Sequence, residues 1–348
     1  MVGDRNRVVR VRAAEVLGCL GQIDESMFIL LALARDEKAD RWTRMRAAEA
    51  MGRLGLTEEA VSILLTLARD EKVDTDVRMR AANALCKLGQ ADDLLALARD
   101  EKVDRRARVR AAEALDKLRQ AEEAAQAWLA LARDEKVDGW VRGHAAEALG
   151  ELGRAEDLLA LARDEKANTY LRERAAVTLG KLGRADEAAT ILLALARDKK
   201  VDTNVHMRAA AALGELGRGE DLLSLARDKG VDGQMRERAA ATLGKLGRAD
   251  DLLMLLCDEE VGLWVRECAA VALGELGRAD ELLVLARDKK VDRWGRKEAA
   301  RALGRFVDTR AIPDLERIEQ EDMDEDVRWE VHRAIKRIRR RAHRPEGS

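Results

Sequence analysis

Residues able to do chemistry are few and scattered in this sequence. Its four histidines, His144, His206, His332 and His343, stand apart from one another, and its four cysteines show no CxxC or Cys/His spacing. Zinc sites and disulfide frameworks depend on such spacings. The sequence also has no P-loop GxxxxGK[ST], no HExxH metal motif and no nucleophile elbow. We therefore expect no catalysis, no metal and no cofactor.

Aromatic side chains are the remaining candidates for a functional site. The 348 residues include six Trp, one Tyr and two Phe. Five of these nine share one position of a sequence repeat, namely Trp42, Trp140, Tyr170, Trp264 and Trp294. Large aromatic side chains on the solvent-facing side of a helix are enriched at binding interfaces. Whether these five face solvent depends on the helices that carry them.

The repeat is marked by the tetrapeptide LARD. Its arginine recurs at steps of 30 or 34 residues, with Cys257 in the same slot of one copy, as Arg35, Arg69, Arg99, Arg133, Arg163, Arg197, Arg227 and Arg287. Self-similarity at this period is typical of a solenoid of stacked repeats. The four extra residues of the longer copies are close to one helical turn, so they lengthen a helix without rotating its apolar face far.

Each repeat is predicted to form two helices, the first of which contains LARD. The second helix begins after a residue suited to cap its N-terminus, namely Asp40, Asp74, Asp104, Asp138, Asn168, Asp202, Asp232 and Asp292, whereas Gly262 weakens the cap. It ends at a glycine suited to a left-handed turn. In one copy Arg119 takes the place of this glycine, so we expect a less well-defined turn there. A second glycine inside the helix, as at Gly52, predicts a close helix crossing.

The pattern Asp-x-x-Val-Arg, Ala-Ala and Leu-Gly resembles the HEAT repeat, and in particular the bacterial HEAT-like repeats of phycobilisome lyases. It is seen in Asp74, Val77, Arg78, Ala81, Ala82, Leu85 and Gly89. The resemblance implies an all-α, right-handed α-α superhelix, an armadillo-type HEAT-like solenoid, with about ten helix pairs plus a leading helix. It also implies that the second helices line the concave side. The proline common before the second helix of that family is replaced here by the charged loop DEKVD.

The expected organisation is one continuous array over residues 1–342, followed by a disordered tail at 343–348. Within the array we expect a leading helix at 7–20, near-identical repeats at 22–305 and a divergent capping repeat at 306–342. The unpaired leading helix suggests that an N-terminal part is missing. The sequence has no signal peptide and no membrane span, and 64 basic residues nearly balance 66 acidic ones. We expect a cytoplasmic, monomeric array that does not bind membranes.

The outward side of the second helix is the predicted binding surface. At about 100° per residue, Asp76, Met79 and Asn83 lie opposite the buried Val77, and the equivalent residues change from copy to copy. Neutral drift of solvent positions would also give variation, but it does not readily explain five aromatic residues in one position. The partner-binding residues predicted on this basis are Trp42, Met45, Asp76, Met79, Arg106, Trp140, Tyr170, Asn204, Met207, Gln234, Trp264, Trp294 and Trp329.

Three functions remain open from the sequence. The favoured one is a non-enzymatic module that recognises a protein or peptide through the variable, aromatic-rich concave face. One form of this hypothesis makes the module the sensor part of a larger bacterial protein. The second is binding of an anionic polymer such as nucleic acid by the groove tryptophans and a repeated arginine. The third is a structural spacer or a designed repeat scaffold. The repeated arginine otherwise predicts a ladder of salt bridges to adjacent repeats, through Arg46, Arg80, Arg110, Arg174, Arg208 and Arg238.

Overall fold

The computed structural model describes residues 2–306 and 309–342, and in these ranges every regular element is a helix. The tail predicted to be disordered, residues 343–348, lies outside the described residues. A short 3₁₀ turn at Thr309–Ala311 precedes the last two helices. The helices are α1 (Val2–Cys19), α2 (Ile23–Arg35), α3 (Arg41–Arg53), α4 (Thr57–Arg69), α5 (Thr75–Lys87), α6 (Ala91–Arg99), α7 (Arg105–Lys117), α8 (Ala121–Arg133), α9 (Gly139–Glu151), α10 (Ala155–Arg163), α11 (Thr169–Lys181), α12 (Ala185–Arg197), α13 (Thr203–Glu215), α14 (Gly219–Arg227), α15 (Gly233–Lys245), α16 (Ala249–Cys257), α17 (Leu263–Glu275), α18 (Ala279–Arg287), α19 (Arg293–Phe306), α20 (Ile312–Glu321) and α21 (Glu325–Ala342).

The second helices begin at the predicted caps. The Asp40 carboxylate accepts a hydrogen bond from the backbone N–H of Thr43 at 3.0 Å, and Asp138 accepts one from Val141 at 3.1 Å. Asn168 caps in the same way, at 2.7 Å from the N–H of Leu171. Each such bond satisfies a backbone donor that the helix itself leaves free. Asp74 is an exception, because its side chain makes no capping hydrogen bond.

The turns that end the second helices share one geometry. The glycines at this place have positive φ angles, and Arg119 adopts the same conformation with φ of 58°. The N–H of Gln120 donates to the Leu115 carbonyl at 3.1 Å, as the N–H of Gln90 does to Leu85. The expected loss of definition at Arg119 is therefore wrong. The closing hydrogen bonds hold the arginine in a left-handed conformation that costs about 1 kcal/mol.

The glycine inside the second helix marks a close helix crossing, as predicted. A Cβ placed on Gly52 would lie 2.7 Å from Cδ2 of Leu88 in the next repeat. At Gly304 the nearest atom would be the Ala334 Cα at 2.6 Å, which is backbone and cannot rotate away. The absence of a side chain thus lets neighbouring second helices pack closely.

The chain forms two compact units, Met1–Thr178 and Leu179–Ser348, and their boundary falls within α11. We call them unit 1 and unit 2. In each unit, second helices pack against second helices, for example α5 on α7 and α15 on α17. Each first helix packs against the second helix of its own repeat, as α8 does on α9 and α16 on α17. The predicted all-α solenoid fold of helix pairs is confirmed.

Consecutive repeats are joined by a buried arginine. It is the fourth residue of the second helix and follows a buried valine or alanine. Arg108, which is 2% exposed, donates from Nε to the Ala98 carbonyl at 2.8 Å and pairs with Asp134 of the next repeat. In unit 2, Arg266 donates to the Leu256 carbonyl at 2.9 Å and to Oδ2 of Asp292 at 2.8 Å. These arginines form a ladder between repeats, although the sequence had suggested a different set.

The carboxylates of this ladder are held in their charged form. Burial works to raise the pKa of Asp134, but the hydrogen bonds from Arg108 and the backbone N–H of Lys136 outweigh it and lower the pKa. Burial also works to raise the pKa of Asp292, but the hydrogen bonds from Arg266 and the backbone N–H of Gly295 outweigh it and lower the pKa. A buried ion pair persists because each charge receives such bonds in place of water.

Candidate functional site on the second helices

The position shared by the aromatic residues lies at the surface. Trp140 and Trp264 are each 70% exposed, and Trp329 is 56% exposed. Trp42, Tyr170 and Trp294 are half-buried. The other predicted residues at this position are all exposed, namely Asp76, Arg106, Asn204 and Gln234.

The next predicted position, three residues later, does not face solvent consistently. Met45 is fully buried, so its prediction as a partner-binding residue is wrong. Met79 and Met207 are half-buried. Three residues turn a helix by about 300°, which carries this position towards the adjacent second helix. Gly143 shows the consequence, because a Cβ there would lie 2.6 Å from the Tyr170 ring of the next repeat.

In unit 1, the exposed rings lie against cations or another ring. The Arg80 guanidinium lies 4.6 Å from the centroid of the Trp42 ring. Trp140 stacks on His144, with ring centroids 5.9 Å apart and planes 11° from parallel. His144 in turn meets the edge of Trp128 at 5.5 Å. Contacts of this type hold an exposed ring in place.

Trp128 continues this aromatic group into the core of unit 1. It is 1% exposed, and its Nε1 donates to Oδ2 of Asp116 at 2.9 Å. Asp116 stands where most repeats have the glycine inside the second helix, and Trp128 stands where other repeats have leucine. Burial raises the pKa of Asp116, more than the bond from Trp128 lowers it, and Glu151 and Glu113 add to the rise. The two unusual residues therefore compensate each other.

The third outward position of unit 1 is mostly polar, and its glutamates form ion pairs. It is occupied by Glu49, Asn83, Glu113 and Glu147, and by Val177 in the last repeat of the unit. Glu113 accepts from Arg110 on the same helix at 2.7 Å. Glu147 pairs with Arg174 of the next repeat. Of the arginines predicted to bridge repeats, Arg174 thus does so, whereas Arg110 pairs within its helix.

In unit 2 the same position carries Ala211, Ala241 and Val271 in three successive repeats and Arg301 in the next. A cavity of about 420 Å³ lies here against Trp264 and Val271. A second cavity of about 360 Å³ lies between α17, α19 and α21. Both are lined by Glu267, Val271 and Arg305, so they are adjacent, and we call the two together the α15–α21 groove.

Charged residues crowd the α19–α21 end of this groove. Arg301 pairs with Glu298 at 3.0 Å and lies 3.5 Å from Glu330, which is fully buried. Burial raises the pKa of Glu298 to about 7, Arg301 opposes the rise, and the charges of Glu267 and Glu330 add to it. Glu298 is therefore partly protonated near neutral pH.

Sequence reasoning did not select this end of the groove. The sequence nevertheless marks this end. Glu298 stands where most other copies have arginine, and Arg301 stands where other copies have a small or polar residue. The aromatic residues nearby are covered by cations of the chain. Lys297 Nζ lies 4.6 Å from the centroid of the Trp294 ring, and Arg333 lies 4.4 Å from that of Trp329.

The α15–α21 groove also contains a cysteine, Cys268. Burial raises the pKa of the Cys268 thiol to about 11, helped by Glu237 and Glu267, so the thiol in this groove is protonated and weakly nucleophilic. The described residues include no group of three or more His, Cys, Asp or Glu that is placed to hold a metal ion. None of the described helices is both long and apolar enough to cross a membrane.

Two family models match parts of the chain. The model described as HEAT repeats matches residues 1–86, and the one described as PBS lyase HEAT-like repeat matches residues 295–320. The search of curated proteins gave no match.

Solved structures extend the similarity to nearly the whole chain. Kap121p bound to Nup53p matches with a TM-score of 0.52 and 15% identity, covering 95% of this chain and 44% of that protein. The karyopherin Kap121p bound to the SUMO protease Ulp1p matches with a TM-score of 0.52 and 14% identity, over the same shares of the two chains. At this identity the similarity concerns the fold, and this chain spans less than half of Kap121p.

Human deoxyhypusine hydroxylase also matches, with 18% identity over 83% of this chain and 99% of that enzyme. Its TM-score of 0.29 is too low to carry an argument about structure or activity.

Proposed function

We propose that this HEAT-like repeat protein is a non-enzymatic module. It recognises a protein or peptide through the faces of its second helices that carry the aromatic residues. Solenoids of stacked repeats present extended surfaces, and this architecture suits protein interaction or scaffolding. The Kap121p structures, which hold protein partners, are consistent with such a role for a related fold.

The observation that carries the proposal is the exposure of Trp140 and Trp264. Both rings are 70% exposed, whereas Trp128 in the core is 1% exposed. A tryptophan presents up to about 250 Å² for burial, and hot spots of protein interfaces are enriched in this residue. A spacer without a partner would gain nothing from placing such rings in water at a repeated position.

Affinity capture with paired variants tests the proposal. The chain is immobilised as wild type, as the double variant Trp140→Ala and Trp264→Ala, and as Phe28→Ala. Phe28 is 76% exposed on the first helix α2, so it is a matched exposed aromatic residue away from the second helices. We expect proteins from a lysate of the producing cells to be retained by wild type and Phe28→Ala and lost from the double variant.

Circular dichroism and thermal unfolding complete the test, because both tryptophans should be replaceable without loss of the fold. Retention of the same proteins by all three baits would contradict recognition through the aromatic faces. Nucleic acid that is retained at low salt and released at moderate salt would support the anionic-polymer function instead, since phosphate contacts weaken steeply with ionic strength.

A further inference from the structure

The α15–α21 groove in unit 2 combines an apolar floor with an exposed tryptophan. Ala241, Val271 and Ala272 line it beside Trp264. Among the described residues, no cation lies over the Trp264 ring, in contrast to Trp42, Trp294 and Trp329. The ring and the cavity next to it are therefore open to an apolar side chain from outside.

Arg305 lies where the two cavities of the groove meet. Its guanidinium carbon lies over the Phe306 ring, 5.2 Å from the ring centroid, and no carboxylate in the described part of the chain pairs with it. Lys245 lines the apolar cavity together with Glu267 and Glu275 and likewise has no ion-pair partner in that part of the chain. An exposed arginine that lies over a ring keeps its donors available to a ligand and pairs well with carboxylates.

The α19–α21 end adds to this positive charge. Arg301, Arg333 and Arg337 surround Glu330, which they approach to 3.5, 3.4 and 3.9 Å. One buried carboxylate thus faces three arginines. Glu267, 3.8 Å from Arg301, and Glu298, which is partly protonated near neutral pH, offset only part of the positive charge. A basic partner would be repelled here, whereas an acidic one would be attracted.

We propose that the α15–α21 groove binds a peptide segment of a partner protein that carries an apolar side chain close to an acidic one. The apolar side chain packs on Trp264 and Val271, and the carboxylate pairs with Arg305. Neighbouring helices lie about 8–10 Å apart, Arg305 lies about one helical turn further along α19 than Val271 does along α17, and an extended chain advances about 3.3 Å per residue. A carboxylate on Arg305 is therefore about three to four residues from an apolar side chain on Val271. This inference rests on the proposed function, which it narrows to one groove and one ligand chemistry.

The second-helix face of unit 1 differs from this groove. Its outward glutamates are paired with Arg110 and Arg174, and the Trp42 ring is covered by Arg80. The exposed Trp140 stacks on His144 rather than on an open cavity. Unit 1 therefore serves as an internal reference for the test.

Selection from a phage-displayed library of random peptides against the full-length chain tests the inference. We expect enriched peptides to contain an apolar residue followed or preceded at short distance by Asp or Glu. Binding of the synthesised peptides, measured by fluorescence anisotropy, should weaken by about tenfold or more in Arg305→Glu and in Trp264→Ala. Arg287→Glu on the first helix α18 and Phe28→Ala on the first helix α2 are the matched controls and should bind normally.

A charge exchange makes the assignment of Arg305 specific. When the acidic residue of an enriched peptide is replaced by lysine, binding to wild type should fall and binding to Arg305→Glu should recover. The milder Arg305→Gln serves if the charge reversal alters the circular dichroism spectrum. Absence of any recovery, or enrichment of basic peptides, would overturn the inference.

The outcomes also separate this inference from the proposed function. Peptides that depend on Trp140 and ignore Trp264 and Arg305 would overturn the groove assignment and leave recognition by the second helices standing. A selection that yields no peptide dependent on any of these aromatic residues contradicts both. Binding of a labelled oligothymidylate that Arg305→Glu abolishes, with no peptide enriched, would show that the groove takes nucleic acid instead.

Discussion

The second-helix face of unit 1 and that of unit 2 are built on the same scaffold but offer different surfaces. In unit 1 the third outward position carries Glu49, Asn83, Glu113 and Glu147 before Val177, and its charges are largely paired. In unit 2 it carries Ala211, Ala241 and Val271 before Arg301, and a groove opens beside Val271. The change from mainly glutamate to alanine or valine at this position thus accompanies the change from a paired polar face to an open apolar one.

The scaffold beneath both faces scarcely differs. Arg108 in unit 1 and Arg266 in unit 2 are each 2% exposed and make the same bonds to a preceding carbonyl and a following aspartate. In repeat proteins the scaffold and the binding surface can vary independently. Contacts between neighbouring repeats fix the buried positions, whereas the outward positions are free to vary.

The largest expected effect tests whether the scaffold is really equivalent in the two units. Arg108→Ala and Arg266→Ala should each lower the free energy of unfolding by about 3–5 kcal/mol, because each leaves a buried carboxylate uncompensated. Urea denaturation measures both. Arg110→Ala removes a partly exposed pair and should cost less than about 1 kcal/mol. A large difference between the two buried arginines would break the equivalence.

The dependence of the unfolding free energy on pH, measured for the same variants, checks the sign of the contribution that the carboxylates make to stability. The pKa values of Asp134 and Asp292 are lowered in the fold, so their contribution is present above the ordinary pKa of 3.8 and is lost as the pH falls through the folded value. Arg108→Ala and Arg266→Ala should therefore lose less stability on acidification than wild type does.

The next effect belongs to unit 2 alone. The pKa of Glu298 is raised from 4.5 to about 7, so the folded state holds its proton more tightly and stability falls as the pH rises between these values. Glu298→Gln should remove that loss and stabilise the protein at about pH 8 by on the order of 2 kcal/mol, with little change at about pH 5. An equal difference at both pH values would show that burial does not control this carboxyl group.

The smallest effect belongs to unit 1 alone. Trp128→Leu leaves Asp116 without its hydrogen bond, and Asp116→Gly leaves the Trp128 N–H without its acceptor, at about 1–3 kcal/mol each. The double variant restores the residues that other repeats carry, so we expect it to lose less than the sum, with a coupling of about 1 kcal/mol or more. Additive losses from thermal or urea unfolding would show that the two residues do not compensate each other.

Much of the fold could be predicted from the sequence, because the caps, turn glycines and apolar positions act within one repeat. The period, the helix pairs and most caps were predicted, since Asp40 or Gly55 shapes the chain within a few residues of itself. Arg119 shows the limit of such local reasoning. Its side chain disfavours the left-handed turn, but the hydrogen bonds of the helix end impose that turn anyway.

The candidate site was predictable in part, because its outermost position follows from helix periodicity. That argument placed Trp140 and Trp264 at the surface, but it failed for Met45, which is covered because its position turns towards the neighbouring helix. It also missed the arginines of the buried ladder, since Arg108 and Arg110 differ by only two residues and only packing decides which is buried.

The sequence by itself determined that this chain repeats a pair of helices and which position of each repeat varies, because both are properties of a single repeat. The tertiary structure decided which surfaces are open. A groove exists in unit 2 only because Trp264, Val271 and Arg305 come from adjacent helices whose side chains leave space between them. On the corresponding face of unit 1, Glu147 and Arg174 of adjacent helices form an ion pair instead. Distances between residues about 30 positions apart depend on packing, and no local pattern encodes them.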